Sequence, residues 1–238
     1  MNANFTTRHR GFTLLETVIA IGVLAVLLSG FMVVFTPAAE GIRKSINVQQ
    51  ADRLASTLEQ ELVTLRDNQS ATFKTGFNKS YEWIKDSDKA GTAILIYQYR
   101  GKMGGTARAD GTPEPLTTLT DNVPGKDFVV VPIARRKDDP EFLNDLQAVE
   151  GAVYLVKCTQ LIFESGELKL GTPGTIKDPK GTLASTSGDD YPEAVIAFSA
   201  DFHLMPARSK DYFSGAAFTT KFSTVKNPVF TRNLAVRR

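Results

Sequence analysis

Cysteine is nearly absent: Cys158 is the only one in the 238 residues, so no intramolecular disulfide can form. It lies in an alternating apolar stretch, Val153 to Phe163, and is read as a small buried hydrophobe. Histidine is almost as scarce, with His9 near the start and His203 in the apolar pattern Phe202-His203-Leu204. No His-Glu-x-x-His, paired Cys-x-x-Cys, P-loop or Gly-x-Ser-x-Gly elbow occurs, so the usual transition-metal, phosphate-cradle and serine-hydrolase signatures are missing. Excess charge is missing too, with 28 basic against 26 acidic side chains. Arg8 and Arg10 are the only charged side chains before Gly11, and without them the two signs are equal. A nucleic-acid surface needs a clustered basic excess, and none is expected.

What the chain does have is one long apolar run. After the basic leader ending at Gly11 comes Phe12-Thr13-Leu14-Leu15-Glu16, and no further charge appears from Thr17 to Ala39. A helix of about 20 residues crosses a hydrocarbon core, so this run is long enough. A carboxylate just inside such a helix is costly, which marks Glu16 as a functional residue. A cleaved secretory signal fits less well, because its apolar region is shorter and Pro37-Ala38-Ala39 is no Ala-x-Ala site. An uncleaved anchor remains open. Arg43, Lys44 and Arg53 beyond the run offset Arg8 and Arg10, so charge bias does not settle orientation.

The order Gly11, Phe12, Thr13, Leu14, Leu15, Glu16 resembles the prepilin signature of the type IV pilin and pseudopilin superfamily. The resemblance implies cleavage between Gly11 and Phe12 by a prepilin peptidase, N-methylation of Phe12, and an assembly role for Glu16 facing a neighbouring subunit's amino terminus. It implies other pilins or pseudopilins, an inner-membrane assembly platform and membrane lipid as partners. It also implies a single-pass protein of the bacterial inner membrane, with its carboxy-terminal head in the periplasm or extracytoplasmic space. The expected role is structural, that of a minor pilin or pseudopilin, not an enzyme; the rival is a membrane-tethered binding domain that does not polymerise.

The expected fold is α+β: a long N-terminal helical spine packed on a β-rich, mainly antiparallel head. The divisions are a leader at 1–11, a transmembrane helix at 12–36, an amphipathic continuation at 37–69 and the head at 70–238. Ala51, Leu54, Ala55, Leu58, Leu62 and Leu65 recur at three- and four-residue steps, which predicts one buried stripe on a helix running to about Asp67. Pro37 should kink or loosen it. Strands are expected at Ala93–Tyr99, Phe128–Val131, Ala152–Glu164, Glu167–Leu170, Ala194–Leu204 and Ala216–Val225, with Ser165-Gly166 as a hairpin turn, and Pro228–Val236 resembles the closing strand of many minor pilins. A short helix holding Phe142, Leu143, Leu146 and Val149 should follow Asp139-Pro140 and stop at Gly151. Gly101–Lys126 and Gly171–Pro192 read as long polar loops. Asp86-Ser87-Asp88 before Gly91 matches part of a calcium loop, but Tyr97 stands where its glutamate belongs. Asp178, Asp189 and Asp190 are read as turn acids as well. No metal or cofactor is expected.

Overall fold

The computed structural model describes residues 13–121, 123–178 and 186–238. The chain divides into two compact units, Met1–Ile46 and Asn47–Arg238. Helix α1, Leu14–Val63, begins in the first and ends in the second, and Pro37 stays inside it. From Thr17 to Ala39 the helix carries no charge on any side, and its large side chains from Leu14 to Phe35 are all exposed. A helix with no polar face has no buried side to choose, which is the pattern of a membrane span.

The second unit is built on a six-stranded antiparallel sheet. Its strands are β1 (Ile94–Lys102), β2 (Phe128–Arg136), β3 (Val149–Glu164), β4 (Glu167–Leu170), β5 (Val195–Leu204) and β6 (Phe230–Arg237). The order is β2-β1-β3-β5-β6, and β4 extends β3 as a hairpin. Ser165 and Gly166 close that hairpin at φ 54° and 85°, the left-handed pair that a tight two-residue turn requires. The fold is therefore α+β in the pilin-like arrangement, as expected.

Period-two alternation sends each strand's side chains to two cores. On one face Ile94, Ile96, Tyr154, Val156, Phe198 and Phe202 meet the α1 stripe of Ala51, Leu54, Ala55, Leu58 and Leu62. The alanines let the helix approach closely, and each buried leucine contributes about 1.5–3 kcal/mol by leaving water. The Tyr154 hydroxyl donates to the Asn47 carbonyl at 3.0 Å, and Gly151 lies so close to α1 that a Cβ would stand 2.5 Å from Gln50 Nε2. Gly151 stops no helix: Val149 already opens β3, and Gly151, at φ 71°, lies where the β1–β3 register shifts. The expected short helix is confined to α3, Phe142–Asp145, and a 3₁₀ turn, Leu146–Ala148.

The opposite face carries a second helical layer that the sequence reading lacked. Leu95, Tyr97, Tyr99, Val153 and Leu155 pack under α3 and two further helices, α4 (Lys210–Ser214) and α5 (Ala216–Thr224). The expected strand over Ala216–Val225 is thus a helix. Phe218 and Phe222, four residues apart, both reach the sheet, a spacing one helical face satisfies and a strand also permits. Only the packing surface separates the two readings.

Helix α1 also ends at Val63, short of Asp67. The cause is α2, Gly76–Asp86, which starts at the Thr75 cap and buries Phe77, Tyr81 and Ile84. Lys79 Nζ donates to the Glu61 and Thr64 carbonyls, both at 2.7 Å, and Ser80 Oγ donates to the Leu62 carbonyl at 2.7 Å. Orphan carbonyls at the helix end thereby gain donors from a neighbouring helix. Gly76 permits the approach, since a Cβ there would lie 2.2 Å from the Val63 oxygen.

Candidate functional site

Glu16 is the one acid in the first turn of α1, and its carboxylate folds back on Thr13. The Thr13 N–H and hydroxyl each donate to Glu16 Oε2 at 3.0 Å, while the Glu16 N–H donates to Thr13 Oγ1 at 3.2 Å. This reciprocal arrangement is a capping box: it satisfies helix-terminal donors and holds the carboxylate at the positive end of the helix dipole. The Thr13-x-x-Glu16 spacing was the signal for it in the sequence, where only the apolar setting of Glu16 was read. Gly11 and Phe12, the expected cleavage and methylation positions, lie outside the described residues. Past this turn, Ser29 and Thr36 direct their hydroxyls to the carbonyls four residues back, at 2.8 Å, so neither leaves a bare donor on the apolar helix.

A small set of the head's charges is buried. Arg135, 2% exposed, binds Asp110 at 2.6 Å, Asp145 at 2.8 Å and Asp139 at 2.9 Å. The Tyr97 hydroxyl donates to the same Asp145 oxygen at 2.8 Å. Asp145 Oδ1 lies 2.8 Å from Arg108 Nη1 without an aligned hydrogen bond. Burial pushes the Asp110 carboxyl up, but hydrogen bonds from Thr112 and the Arg135 guanidinium outweigh it and hold it at about 2. Burial and the Asp145 charge push the Tyr97 phenol well up. A second cluster at the end of α1 joins Glu61 to Lys79 at 2.8 Å and to Arg66, whose Nη1 reaches the Asp110 carbonyl at 3.1 Å. The two clusters form one chain of paired charges linking α1, the 103–127 loop, β2 and α3. Every cation in it faces a carboxylate, so it fixes geometry and presents no activated nucleophile. Its members were invisible in the sequence, where Asp110 and Thr112 looked like ordinary loop residues.

The remaining sequence candidates are dispersed. Cys158 is buried, its thiol is pushed up to about 12 by burial, and its N–H is held by Ser87 Oγ at 2.9 Å. His203 is buried in β5 and held low by desolvation, against a hydrogen bond that its ring donates to the Asn227 backbone and the Asp201 charge. Asp86 pairs with Lys89, Asp88 with Lys157, and Asp189 with Lys74 and Asn78. Among the described residues no three His, Cys, Asp or Glu side chains come together as a metal cage would require.

Residues 6–32 match the prokaryotic N-terminal methylation motif, the signature of type IV pilins and pseudopilins. No curated protein and no solved structure matches the chain.

Proposed function

We propose that this chain is a minor pilin or pseudopilin subunit of a type IV filament-type machine, of the type II secretion or type IV pilus kind, and that its role is structural. In this reading prepilin peptidase cuts between Gly11 and Phe12, the new Phe12 amine is N-methylated, and the span anchors the subunit in a bacterial inner membrane. The head then lies outside the cytoplasm, and the subunit meets other pilins and the assembly platform. The observation that carries the reading is the methylation motif at residues 6–32 leading straight into an apolar helix whose sole early acid is Glu16.

Glu16 carries the assembly step. A carboxylate and an ammonium each pay several kcal/mol on entering an apolar bundle unless they pair. Glu16 of one helix and the Phe12 amine of the next neutralise each other and set the axial register. The Thr13 contacts hold the carboxylate in the first helical turn, next to where the new amino terminus would stand.

Glu16→Gln tests this in a host with prepilin peptidase. Intact mass should show both parent and variant starting at N-methyl-Phe12, because the scissile bond and basic leader are unchanged. Filament incorporation of the variant should drop by two or more decades, since breaking such a pair costs about 3–5 kcal/mol. Retention of residues 1–11 would sink the processing step. Equal incorporation would mean that the Glu16 charge pair does not set the register, and absence of the parent itself from filaments would make the chain a tethered monomer.

A further inference from the structure

Among the described residues the β3–β4 hairpin leaves an apolar surface and an unpaired strand edge together. All four residues of β4 are exposed, and among the described residues its only strand partner is β3. Phe163 pairs with Leu168 and Leu161 with Leu170, so these four share one face of the ribbon. Phe163, Leu168 and Leu170 are 59%, 56% and 62% exposed. Unprotected edges are templates for another strand, and proteins usually blunt them. The β2 edge is blunted by Pro132, and the β6 edge carries Arg232 and Arg237 with no acid in the strand. β4 has no proline, and its one lysine, Lys169, is matched by one acid, Glu167.

Its charges also lack balance within one copy. Glu164 and Glu167 stand directly opposite each other across the hairpin, a repulsive pairing. Lys169 reaches Glu164 at 3.4 Å, and Glu167 has no ion-pair partner among the described residues. The sequence Glu167-Leu168-Lys169 is self-complementary about its centre. Antiparallel pairing of two β4 edges with Leu168 on the two-fold axis sets Glu167 opposite Lys169 of the second copy, and does so twice. The same register brings both Leu168 side chains and the adjacent Phe163 rings onto one apolar face.

We infer that β4 is a self-pairing edge through which two copies of this chain join their sheets, with Glu167 and Lys169 setting the register. A four-residue strand and a few apolar side chains cover less than the roughly 1,600 Å² of a standard interface. The contact is therefore weak between free molecules and forms when both copies are held in one membrane, where effective concentration is high. This rests on the anchored reading above, which resistance of the full chain to carbonate extraction checks separately.

The test is oxidative crosslinking of the full chain in membranes, in a Cys158→Ser background. Leu168→Cys should give a covalent homodimer well above that of Lys74→Cys, an exposed control on another element. Adding Glu167→Lys places lysines opposite lysines across the axis while relieving the Glu164 repulsion, so the fold is spared and crosslinking falls about tenfold. Combining Glu167→Lys with Lys169→Glu should restore it. Crosslinking at Leu168→Cys no higher than the Lys74→Cys control, indifference to the charge swap, or an adduct with a different protein would each overturn self-pairing.

Discussion

One helix, α1, is written in two styles, and the contrast shows what each part was made to meet. From Leu14 to Phe35 its apolar residues surround the axis and all lie exposed, so no side of the helix is distinguished from another. From Ala51 to Leu62 the apolar residues form a single stripe, fully buried against the sheet, while Asp52 and Arg53 remain outside. The difference is the solvent each expects: hydrocarbon on every side for the first, a protein surface on one side for the second.

The largest break in that contrast lies where the second part ends. Lys79→Met keeps most of the side-chain volume but removes the donor shared by the Glu61 carboxylate and the Glu61 and Thr64 carbonyls. Stripping one partner from a buried pair costs about 3–5 kcal/mol. Urea unfolding of the detergent-solubilised chain, followed through Trp83, its only tryptophan and nearly fully buried, should show that loss as a lower midpoint. An unchanged midpoint would mean that the cap is redundant with Ser80.

The same substitution in both parts sharpens the comparison next. Leu58→Ala opens a cavity in the sheet-facing core and should cost about 2–5 kcal/mol by the same assay. Leu28→Ala, on the exposed half, should leave the Trp83 transition within about 0.5 kcal/mol. Equal effects would refute the division of the helix into a lipid-facing and a protein-facing part.

The smallest effect concerns the far face of the sheet, away from α1. His203 titrates lower in the fold than its ordinary 6.5 because burial opposes the charged form. The unfolded chain then binds a proton that the folded chain refuses, so stability falls as pH drops below about 6.5 and continues to fall until the folded group protonates. The loss is at most about 1.4 kcal/mol per pH unit. Asp201, Lys157 and Lys221 are the charged groups acting on this ring. Measured between pH 7 and pH 5, His203→Gln should flatten the slope even if it lowers stability overall.

Most of the strands were legible because alternation is local: β1, β3 and β5 each carry enough β-branched and aromatic residues to announce themselves, while β6 was read from its likeness to a minor-pilin closing strand. The Ser165-Gly166 turn was legible for the same reason. Helix α5 was not, since Phe218 and Phe222 among threonines satisfy either period. Helix α2 passed unnoticed because its apolar residues are interleaved with Lys79 and Ser80, which look solvent-facing until their partners at the end of α1 are seen. The capping box at Thr13 and Glu16 was written plainly in the spacing and needed only the helix start to be located.

The chain's own order of residues determined the parts that depend on near neighbours. These are the apolar span with its single acid, the methylation motif, the buried stripe and the alternating strands. Tertiary structure alone decided where α1 stops, that a second helical layer covers the sheet, and that Arg135, Asp110, Asp145, Lys79 and Glu61 belong inside. The physical reason is that a charged side chain can be buried only when its partners arrive with it. Asp110 and Arg135 come from different elements, as do Glu61 and Lys79. No periodicity within either segment records that meeting.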